Sequence, residues 1–360
     1  MPRIYGVKNT SPFQSDIMTW SLYVMPYLLP ANLLFLMFMT LGIFISISAS
    51  SWPVAWIGLE INLLRFAPLI ATPITKKSAN AAATYFLAQA TGSVLFLIGP
   101  MIAGLTLTPA PTAPLPTRLI IFGLIVKLGS APAHLWLPAV AGRLPFWATF
   151  LLLTTQKIAP LALCANLAKD LDWAAILIGL GVLNACVGAH GAFVQTDIRQ
   201  LLAYSSIGHL GWMLCLLPLT TSYPLIYLAG YALTLAPVMY HFSPIMSTSV
   251  KRFRLLRRQA PAIKQSFLTV LFNLRGLPPF GGFFIKLLAL TILTISGHWW
   301  VALTLAFARI LTLTAYTNLT FMLLITGVKP SYFKQALRTA STYTLFAAPI
   351  VIALPFLITL

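Results

Sequence analysis

The 360-residue chain is 59% hydrophobic and only 8% charged. Because a soluble globular domain carries about 25% charged residues, this composition excludes that class and indicates a protein that crosses a membrane several times. The formal net charge of +18 would favour nucleic-acid binding in a soluble protein. Here the basic residues alternate with apolar spans, so we expect no nucleic-acid partner.

Apolar runs of about 20 residues, the length that crosses the hydrocarbon core, predict an all-α, polytopic membrane protein with about eleven transmembrane helices. The first sixteen residues, "MPRIYGVKNTSPFQSD", lack a cleavable signal pattern. We therefore expect residues 1–27 to form an N-terminal extension before the first helix. The predicted spans are 28–49, 53–72, 81–106, 118–137, 145–167, 173–195, 200–219, 224–247, 264–296, 299–326 and 341–359.

Lysines and arginines are distributed unequally between the two sides of this predicted arrangement. About fifteen fall at the N-terminus or in the loops after even-numbered spans, while the opposite side holds only Arg118 and Lys169. Basic residues accumulate in loops on the inner side of a membrane. The bias therefore predicts that the N-terminus and the basic stretch 250–264 face inside and that the C-terminus faces outside.

Two predicted spans, the fourth and the ninth, contain helix-breaking residues. They are "VKLGSAPAHLWLPAVAG" at 126–142 and "LRGLPPFGGFFIKL" at 274–287. Broken backbone at membrane depth is tolerated only where it is buried in protein or lines a watery cavity. The sequence therefore predicts two discontinuous helices, interrupted near 129–138 and 276–282.

The two interrupted spans are five apart in the chain, so they cross the membrane in opposite directions. Interrupted helices at corresponding positions of two halves are typical of transporters built from inverted repeats. The pattern predicts a first five-helix half at 28–167 and a second at 168–326. A loop and a C-terminal helix follow at 327–360.

Glu60, the only glutamate in the chain, lies in the middle of the apolar run "WPVAWIGLEINLLRFAPLI". A charged side chain at the centre of a bilayer costs about 2.5–3.5 kcal/mol. Lys127, Lys157 and Lys286 carry the same cost. Because an apolar environment disfavours the charged form of both carboxylates and amines, small changes in the local field can move protons on and off such groups. These four residues are therefore candidates for a proton relay.

Two histidines are further candidates for this relay, since imidazole titrates near neutral pH. They are His134, in the first interruption, and His209, in "YSSIGHLGW". Arginines at membrane depth can snorkel towards the headgroups or bind free backbone carbonyls. We therefore interpret Arg65, Arg275 and Arg309 as structural.

The three cysteines predict no metal site or redox centre. Cys164, Cys186 and Cys215 lie in apolar segments without the spacing of metal ligands, and we expect all three to be small buried hydrophobic residues. The chain also lacks the motifs of nucleotide-binding, phosphate-binding and hydrolytic sites. Any redox or hydrolytic chemistry is therefore expected in another chain.

Several segments, taken in order, resemble the signature blocks of the subunit 2 family of respiratory complex I, NADH:ubiquinone oxidoreductase. They are "SSWPVAWIGLEINLL", "ATYFLAQATGSVL", "VKLGSAPAHLWLPAV", "TTQKIAPL", "RQLLAYSSIGHLGWM" and "LRGLPPFGGFFIK". The resemblance extends from Ala49 to Leu290. It implies an antiporter-like subunit of the proton-pumping membrane arm in the mitochondrial inner membrane, with the N-terminus in the matrix and the C-terminus in the intermembrane space.

The resemblance also implies roles for particular residues. Glu60 would be the family's key glutamate and would form a pair with Lys127, while Lys157 and Lys286 would continue a hydrated line of lysines in the membrane plane. The chain would bind no cofactor itself, because NADH, FMN, the iron–sulfur clusters and ubiquinone would lie in partner subunits. The expected partners are other membrane-arm subunits, including neighbouring antiporter-like subunits, and inner-membrane lipids.

Four positions depart from the family's pattern. Asn80 and Ala139 stand where the resemblance implies glutamates, and Thr84 and Gln200 where it implies lysines. Two alternatives stay open at this point. A stand-alone cation/proton antiporter would share the interrupted helices and the buried lysines. A passive structural spacer of a membrane complex would not need them.

Overall fold

The computed structural model describes residues 30–72, 75–105, 114–168, 171–195, 197–242, 269–277 and 280–324. Within these ranges all regular secondary structure is helical, which confirms the predicted all-α class. Three predicted features lie outside the described residues. They are the N-terminal extension 1–27, the basic stretch 250–264 and the C-terminal segment 327–360 with its predicted helix.

Each of the first ten predicted spans contains helix. The helices are α1 (Pro30–Ser48), α2 (Trp52–Ala71), α3 (Lys76–Leu105), α4 (Pro114–Leu128), α5 (Trp136–Ala141), α6 (Phe146–Leu153), α7 (Thr155–Leu167), α8 (Leu171–Val194), α9 (Ile198–Leu216), α10 (Tyr223–Phe242), α11 (Gly281–Ile295) and α12 (Trp299–Leu324). A short helical stretch at 269–275 precedes α11.

Five of the described helical segments are long and apolar enough to cross a membrane: Trp52–Ala71, Lys76–Leu105, Phe146–Leu167, Trp173–Val194 and Trp299–Thr317. Shorter apolar helices occur in α1, α10 and α11. Helices satisfy their own backbone hydrogen bonds, which is the requirement for crossing lipid. The prediction of about eleven spans is therefore confirmed in part, as an all-helical membrane protein with several candidate spans.

Glycines allow three pairs of neighbouring helices to approach closely. The facing glycines are Gly42 with Gly58 (α1 and α2), Gly92 with Gly123 (α3 and α4), and Gly181 with Gly211 (α8 and α9). A Cβ added at any of them would lie between 2.6 and 3.0 Å from the carbonyl oxygen of the facing glycine. Small residues at helix interfaces are typical of membrane bundles, because lipid supplies no hydrophobic force between helices and close packing must hold them together.

Helix α9 is the most enclosed element and positions much of the candidate site. It packs against α5, α6, α8, α10, α11 and α12, and its residues from Ser205 to Leu216 are buried with the exception of Gly208. The outward faces of other helices carry large apolar side chains such as Met37, Phe44 and Phe307, which are 66 to 70% exposed. Such faces suit lipid or neighbouring membrane subunits.

Both predicted interruptions are present, and both helices end in the same way. Gly129 and Gly276 have φ values of 65° and 66°. Each glycine N–H donates to the carbonyl three residues earlier, and the next N–H donates to the carbonyl five residues before it. This is the Schellman closure of a helix C-terminus. Because α11 closes similarly at Gly297, the motif alone does not indicate a repeat.

The predicted span at 145–167 corresponds to the candidate span Phe146–Leu167, with an irregularity at Thr154, which has φ −119° and ψ −75° between α6 and α7. One expectation needs correction. Cys186 is exposed rather than buried, whereas Cys164 and Cys215 are buried as predicted. Its part of α8 turns towards the outside of the bundle, where an apolar side chain meets lipid or a neighbouring subunit instead of this chain's core.

Candidate functional site

Glu60 lies half-buried on α2, beside a network of polar side chains that joins four helices. The Gln156 amide of α7 donates to Asn62 Oδ1 of α2 at 3.0 Å and contacts the Met39 sulfur of α1 at 3.3 Å. The Tyr85 hydroxyl of α3 donates to Gln156 Oε1 at 3.1 Å. This network joins the four helices near Glu60.

Lys127 lies in the last turn of α4 and is only 4% exposed. Its ammonium donates to Ser93 Oγ of α3 at 2.5 Å, and the Gln89 amide of α3 donates to the Lys127 carbonyl at 3.0 Å. The direct partner of the Lys127 ammonium is therefore the neutral Ser93 hydroxyl rather than the Glu60 carboxylate.

The helix C-terminus adds to the negative potential at Lys127. The carbonyl groups of the last turn carry a partial negative charge, which stabilises a nearby cation.

The interruption that creates this end is held by α8, where Asn184 Oδ1 accepts the Ala131 N–H at 2.8 Å and Asn184 Nδ2 donates to Ser130 Oγ at 2.6 Å. The Trp136 indole N–H donates to the Val126 carbonyl at 3.1 Å. The broken backbone is thus satisfied by specific partners.

His134 lies at the surface of this interruption. Its Nδ1 is 3.1 Å from the Pro132 carbonyl, and its ring centroid is 6.4 Å from that of Tyr204. Neither contact joins it directly to one of the predicted lysines. Of the predicted site residues, His134 is therefore the one that lies at the surface, away from the buried lysines.

Lys157 is buried between the two predicted halves, with an exposure of 1%. Its ammonium donates to both the hydroxyl and the main-chain carbonyl of Ser206 on α9, the latter at 3.2 Å. The preceding residue, Gln156, reaches the polar network beside Glu60. Helix α7 therefore directs Gln156 towards α2 and α3, and Lys157 towards α9.

The irregularity at Thr154 immediately precedes this pair. Its hydroxyl donates to the Phe150 carbonyl at 2.6 Å, and the Thr155 hydroxyl donates to the Leu151 carbonyl at 2.8 Å. Pro160 lies inside α7 and lacks the N–H that would bond one turn back. Proline and threonines that bond back to their own helix both distort helices. This distortion explains why Gln156 and Lys157 point in directions that a regular helix continuing from α6 would not give them.

His209 continues the line beyond Lys157. It lies three residues after Ser206 on the same face of α9, and its Nδ1 is 3.0 Å from the Tyr227 hydroxyl of α10. The Tyr231 ring packs against it at a centroid distance of 4.4 Å. His209 therefore lies one turn from the serine that accepts from Lys157, and it lines two cavities with Lys286.

Lys286 lies on α11, five residues after the helix begins, and is 7% exposed. Two small cavities adjoin it, and His209 lines both. Arg309 of α12 lines the larger cavity with them. In the part of the chain that the structure describes, Nζ of Lys286 has no hydrogen-bond partner. Lys286 thus differs from the other two lysines, which donate to serines.

Four of the six predicted residues, Lys127, Lys157, His209 and Lys286, are buried, and Glu60 is half-buried. Lys157 donates to Ser206, three residues before His209, and His209 lines two cavities with Lys286. Sequence reasoning missed the acceptors Ser93 and Ser206. It also judged Arg309 structural, although Arg309 shares a cavity with Lys286. The other two arginines do stack on rings, Arg65 on Phe38 and Arg275 on Phe272.

The four departures from the family's pattern show no ionic replacement among the described residues. Thr84 donates to the Asn80 carbonyl of its own helix at 2.9 Å. Gln200 packs close to Gly142, where an added Cβ would lie 3.0 Å from its amide. Ala139 is half-buried on α5. A step that used ionisable groups at these positions has no equivalent here.

Comparison with known proteins gives a consistent result. The family model of NADH:quinone oxidoreductase/Mrp antiporter transmembrane proteins matches residues 49–312. NADH-ubiquinone oxidoreductase chain 2 of Elephas maximus is 34% identical over 284 residues, which cover 78% of this chain and 82% of the relative. A chain of respiratory complex I from Thermus thermophilus with bound aureothin superposes with a TM-score of 0.73 at 25% identity, covering 95% of this chain and 90% of that one.

A chain of the Mrp complex from Dietzia sp. DQ12-45-1b has a related fold. It superposes with a TM-score of 0.71 at 18% identity and covers 84% of this chain and 64% of that one. At this identity the likeness concerns the fold alone.

Proposed function

Because this chain belongs to the NADH:quinone oxidoreductase/Mrp antiporter family of membrane proteins, we propose that it is a proton-translocating subunit of the membrane arm of respiratory complex I. The observation that carries this proposal is the buried line of ionisable groups between two interrupted helices. Lys127, Lys157 and Lys286 are each no more than 7% exposed. A purely structural subunit gains nothing from three buried lysines, since their burial carries a solvation cost that leucine avoids.

In this proposal Glu60 and Lys127 form the first proton-exchanging unit. Lys127 holds a proton when the carboxylate is near, because an opposite charge stabilises the ammonium. When the separation grows, Ser93 alone does not replace the anion, and the proton is released more readily. The burial of Lys127 and its contact with the neutral Ser93 hydroxyl support this step.

The proton then passes along α7 and α9 in the plane of the membrane. Lys157 of α7 donates to Ser206, which lies on the same face of α9 as His209. His209 and Lys286 in turn line the same two cavities. The smaller of the two cavities has room for about one water molecule, which would complete the path between His209 and Lys286. We propose His134 as an entry group at the first interruption rather than as a member of the buried line.

The finer architecture belongs to the same proposal. About eleven helices would cross the membrane, with inverted halves at 28–167 and 168–326. The presence of an interruption in both the fourth and the ninth predicted span supports such a repeat. The N-terminus and the stretch 250–258 would face the mitochondrial matrix, and the C-terminus the intermembrane space. Labelling of 250–258 from the intermembrane side of intact mitochondria would reverse this orientation.

The chain would take part in catalysis without carrying a redox group. NADH, FMN, the iron–sulfur clusters and ubiquinone would bind to partner subunits, and no nucleic acid would be involved. The exposed apolar faces of the bundle would contact inner-membrane lipids and neighbouring antiporter-like subunits.

A stand-alone cation/proton antiporter is the second candidate, and the shared fold with a chain of the Mrp complex favours it. One purification separates the two functions. The native protein is extracted gently through an affinity tag on this chain, and the absorbance of flavin and iron–sulfur clusters is measured in the purified material. We expect both signals together with NADH:ubiquinone turnover. A homogeneous preparation without them would favour the antiporter.

A further inference from the structure

A cavity between α9, α11 and α12 brings two basic side chains together. Lys286 and Arg309 line it with His209. Among the described residues, Nζ of Lys286 and Nη2 of Arg309 are both buried and have no hydrogen-bond partner. An unsatisfied buried donor costs about 1–3 kcal/mol, and more when it is charged. The two nitrogens therefore need a ligand that accepts hydrogen bonds.

The other polar groups at the cavity are neutral, and none of their described hydrogen bonds is to Lys286 Nζ or Arg309 Nη2. Thr312 accepts one hydrogen bond from Arg309 Nη1 at 3.3 Å, while its own hydroxyl donates to the Arg309 carbonyl at 2.8 Å. The Ser205 hydroxyl donates to the Leu202 carbonyl at 2.9 Å. None of the described residues that line the cavity is acidic. The site is therefore rich in donors and positive charge.

We propose that this cavity binds one small monovalent anion, with chloride as the simplest candidate, between Lys286 and Arg309. About 20 Å³ is open to the centre of a water-sized sphere, which is room for a single small particle, since one water needs about 10–15 Å³. Sulfate and phosphate are too large. A chloride ion only accepts hydrogen bonds and carries the opposite charge, so it matches both cations better than a water molecule does.

The anion would do at Lys286 what Glu60 does at Lys127. It would supply the negative charge that stabilises an ammonium in an apolar environment. It would also shield Lys286 from Arg309, whose like charge disfavours the ammonium. Binding itself does not depend on the proposed pumping activity; only its effect on turnover rests on that function.

The direct test uses crystals of the intact complex grown with bromide in place of chloride, since bromide is a halide with a usable anomalous signal. We expect an anomalous peak between Lys286 and Arg309 in the native complex. The peak should disappear in Arg309→Gln and persist in Arg309→Lys, which keeps the charge. The same change at Arg65, which lines neither cavity, is the matched control and should leave the peak in place.

Three results would overturn the site. An empty or water-filled cavity at saturating bromide would contradict it in the native protein, without reliance on any variant. Density for a carboxylate from a neighbouring chain would assign the acceptor to a partner. A peak that persists in Arg309→Gln would identify an adventitious ion only.

A second measurement tests the role of the anion in turnover. Chloride is replaced by gluconate at constant ionic strength, and NADH:ubiquinone turnover of the native complex should fall by roughly threefold. Arg309→Gln should be insensitive to the exchange. If the native enzyme is equally insensitive while the bromide peak is present, the counter-ion role is wrong. If instead the peak is present in the native complex but Lys286→Met turns over normally, the relay is wrong and the anion site stands.

Discussion

Lys127 and Lys286 both adjoin an interrupted helix, yet their surroundings differ in charge. Lys127 precedes its interruption, at the negative end of α4, with Ser93 in contact. Lys286 follows its interruption, near the positive end of α11, and shares a cavity with Arg309. The same helix closure therefore supports two electrostatically opposite sites.

This difference indicates that the chain itself supplies groups that stabilise the charge of Lys127. For Lys286 it leaves that role to a group from outside the chain. Lys157, between them, is intermediate, because its acceptors are the neutral oxygens of Ser206. The order from Glu60 to Arg309 thus runs from negative to positive potential. A proton that moves along it meets a graded field rather than three equivalent sites.

The largest losses of thermal stability should come from substitution of the glycines that close the helices. Gly276→Ala places a Cβ 2.6 Å from the Gly282 carbonyl oxygen, whereas Gly129→Ala brings it to 3.0 Å from Leu137 Cβ. Gly297→Ala meets nothing within 4 Å and is the matched control. All three carry the cost of left-handed backbone, about 1–2 kcal/mol, so thermal stability of the assembled complex should fall in the order Gly276, Gly129, Gly297. Equal losses would contradict a close approach at the second interruption.

Removal of either lysine should separate activity from stability. Lys127→Met and Lys286→Met should each lower NADH:ubiquinone turnover by about tenfold, or about 1.4 kcal/mol. Lys127→Met leaves Glu60 without its cation and should lower thermal stability. Lys286→Met leaves no acidic side chain of the described residues at its cavity without a partner, so thermal stability should fall less than in Lys127→Met. A fall in stability of the same size in both variants would contradict the charge difference between the two sites.

The serine acceptors should show a smaller difference. Ser93→Ala removes the acceptor that contacts Lys127, and loss of such a hydrogen bond costs about 1–3 kcal/mol. Ser206→Ala leaves Lys157 with the Ser206 main-chain carbonyl at 3.2 Å. We therefore expect turnover to fall more in Ser93→Ala than in Ser206→Ala, as measured by steady-state NADH oxidation. The reverse order would show that Lys157 depends on the hydroxyl and not on the carbonyl.

His134 should matter least among the predicted residues. His134→Gln changes a side chain at the edge of the first interruption and should lower turnover by less than about twofold. His209→Gln, as the comparison variant, changes a buried ring that lines both cavities and should lower turnover several times more. Assay of both in membranes, normalised to the amount of assembled complex, tests the difference. A greater loss in His134→Gln would return His134 to the relay.

The helices, both interruptions and the buried charged residues were predictable from the sequence for one physical reason. In a chain with so few charges, Glu60 and the lysines stand out against an apolar background. Glycines and prolines likewise stand out in helical segments. Local sequence carries these signals without knowledge of tertiary packing.

The partners of these residues were not predictable in the same way. Ser93 and Ser206 resemble many other hydroxyl residues of membrane helices, and only the packing of α3 and α9 makes them acceptors for lysines. Arg309 was interpreted as structural because an arginine at membrane depth can also snorkel. Its place beside Lys286 depends on how α11 and α12 pack together.

The central claim is that Glu60 controls proton exchange at Lys127. The most direct measurement is Glu60→Gln in the assembled complex, with NADH:ubiquinone turnover and proton pumping recorded on the same vesicles. Glutamine keeps the shape and removes the charge, so both activities should fall together while assembly is largely retained. Because the two residues act as one unit, the double variant with Lys127→Met should lose less than the two single losses combined. Normal turnover with normal pumping in Glu60→Gln would contradict the account and leave Glu60 a structural hydrogen-bonding group.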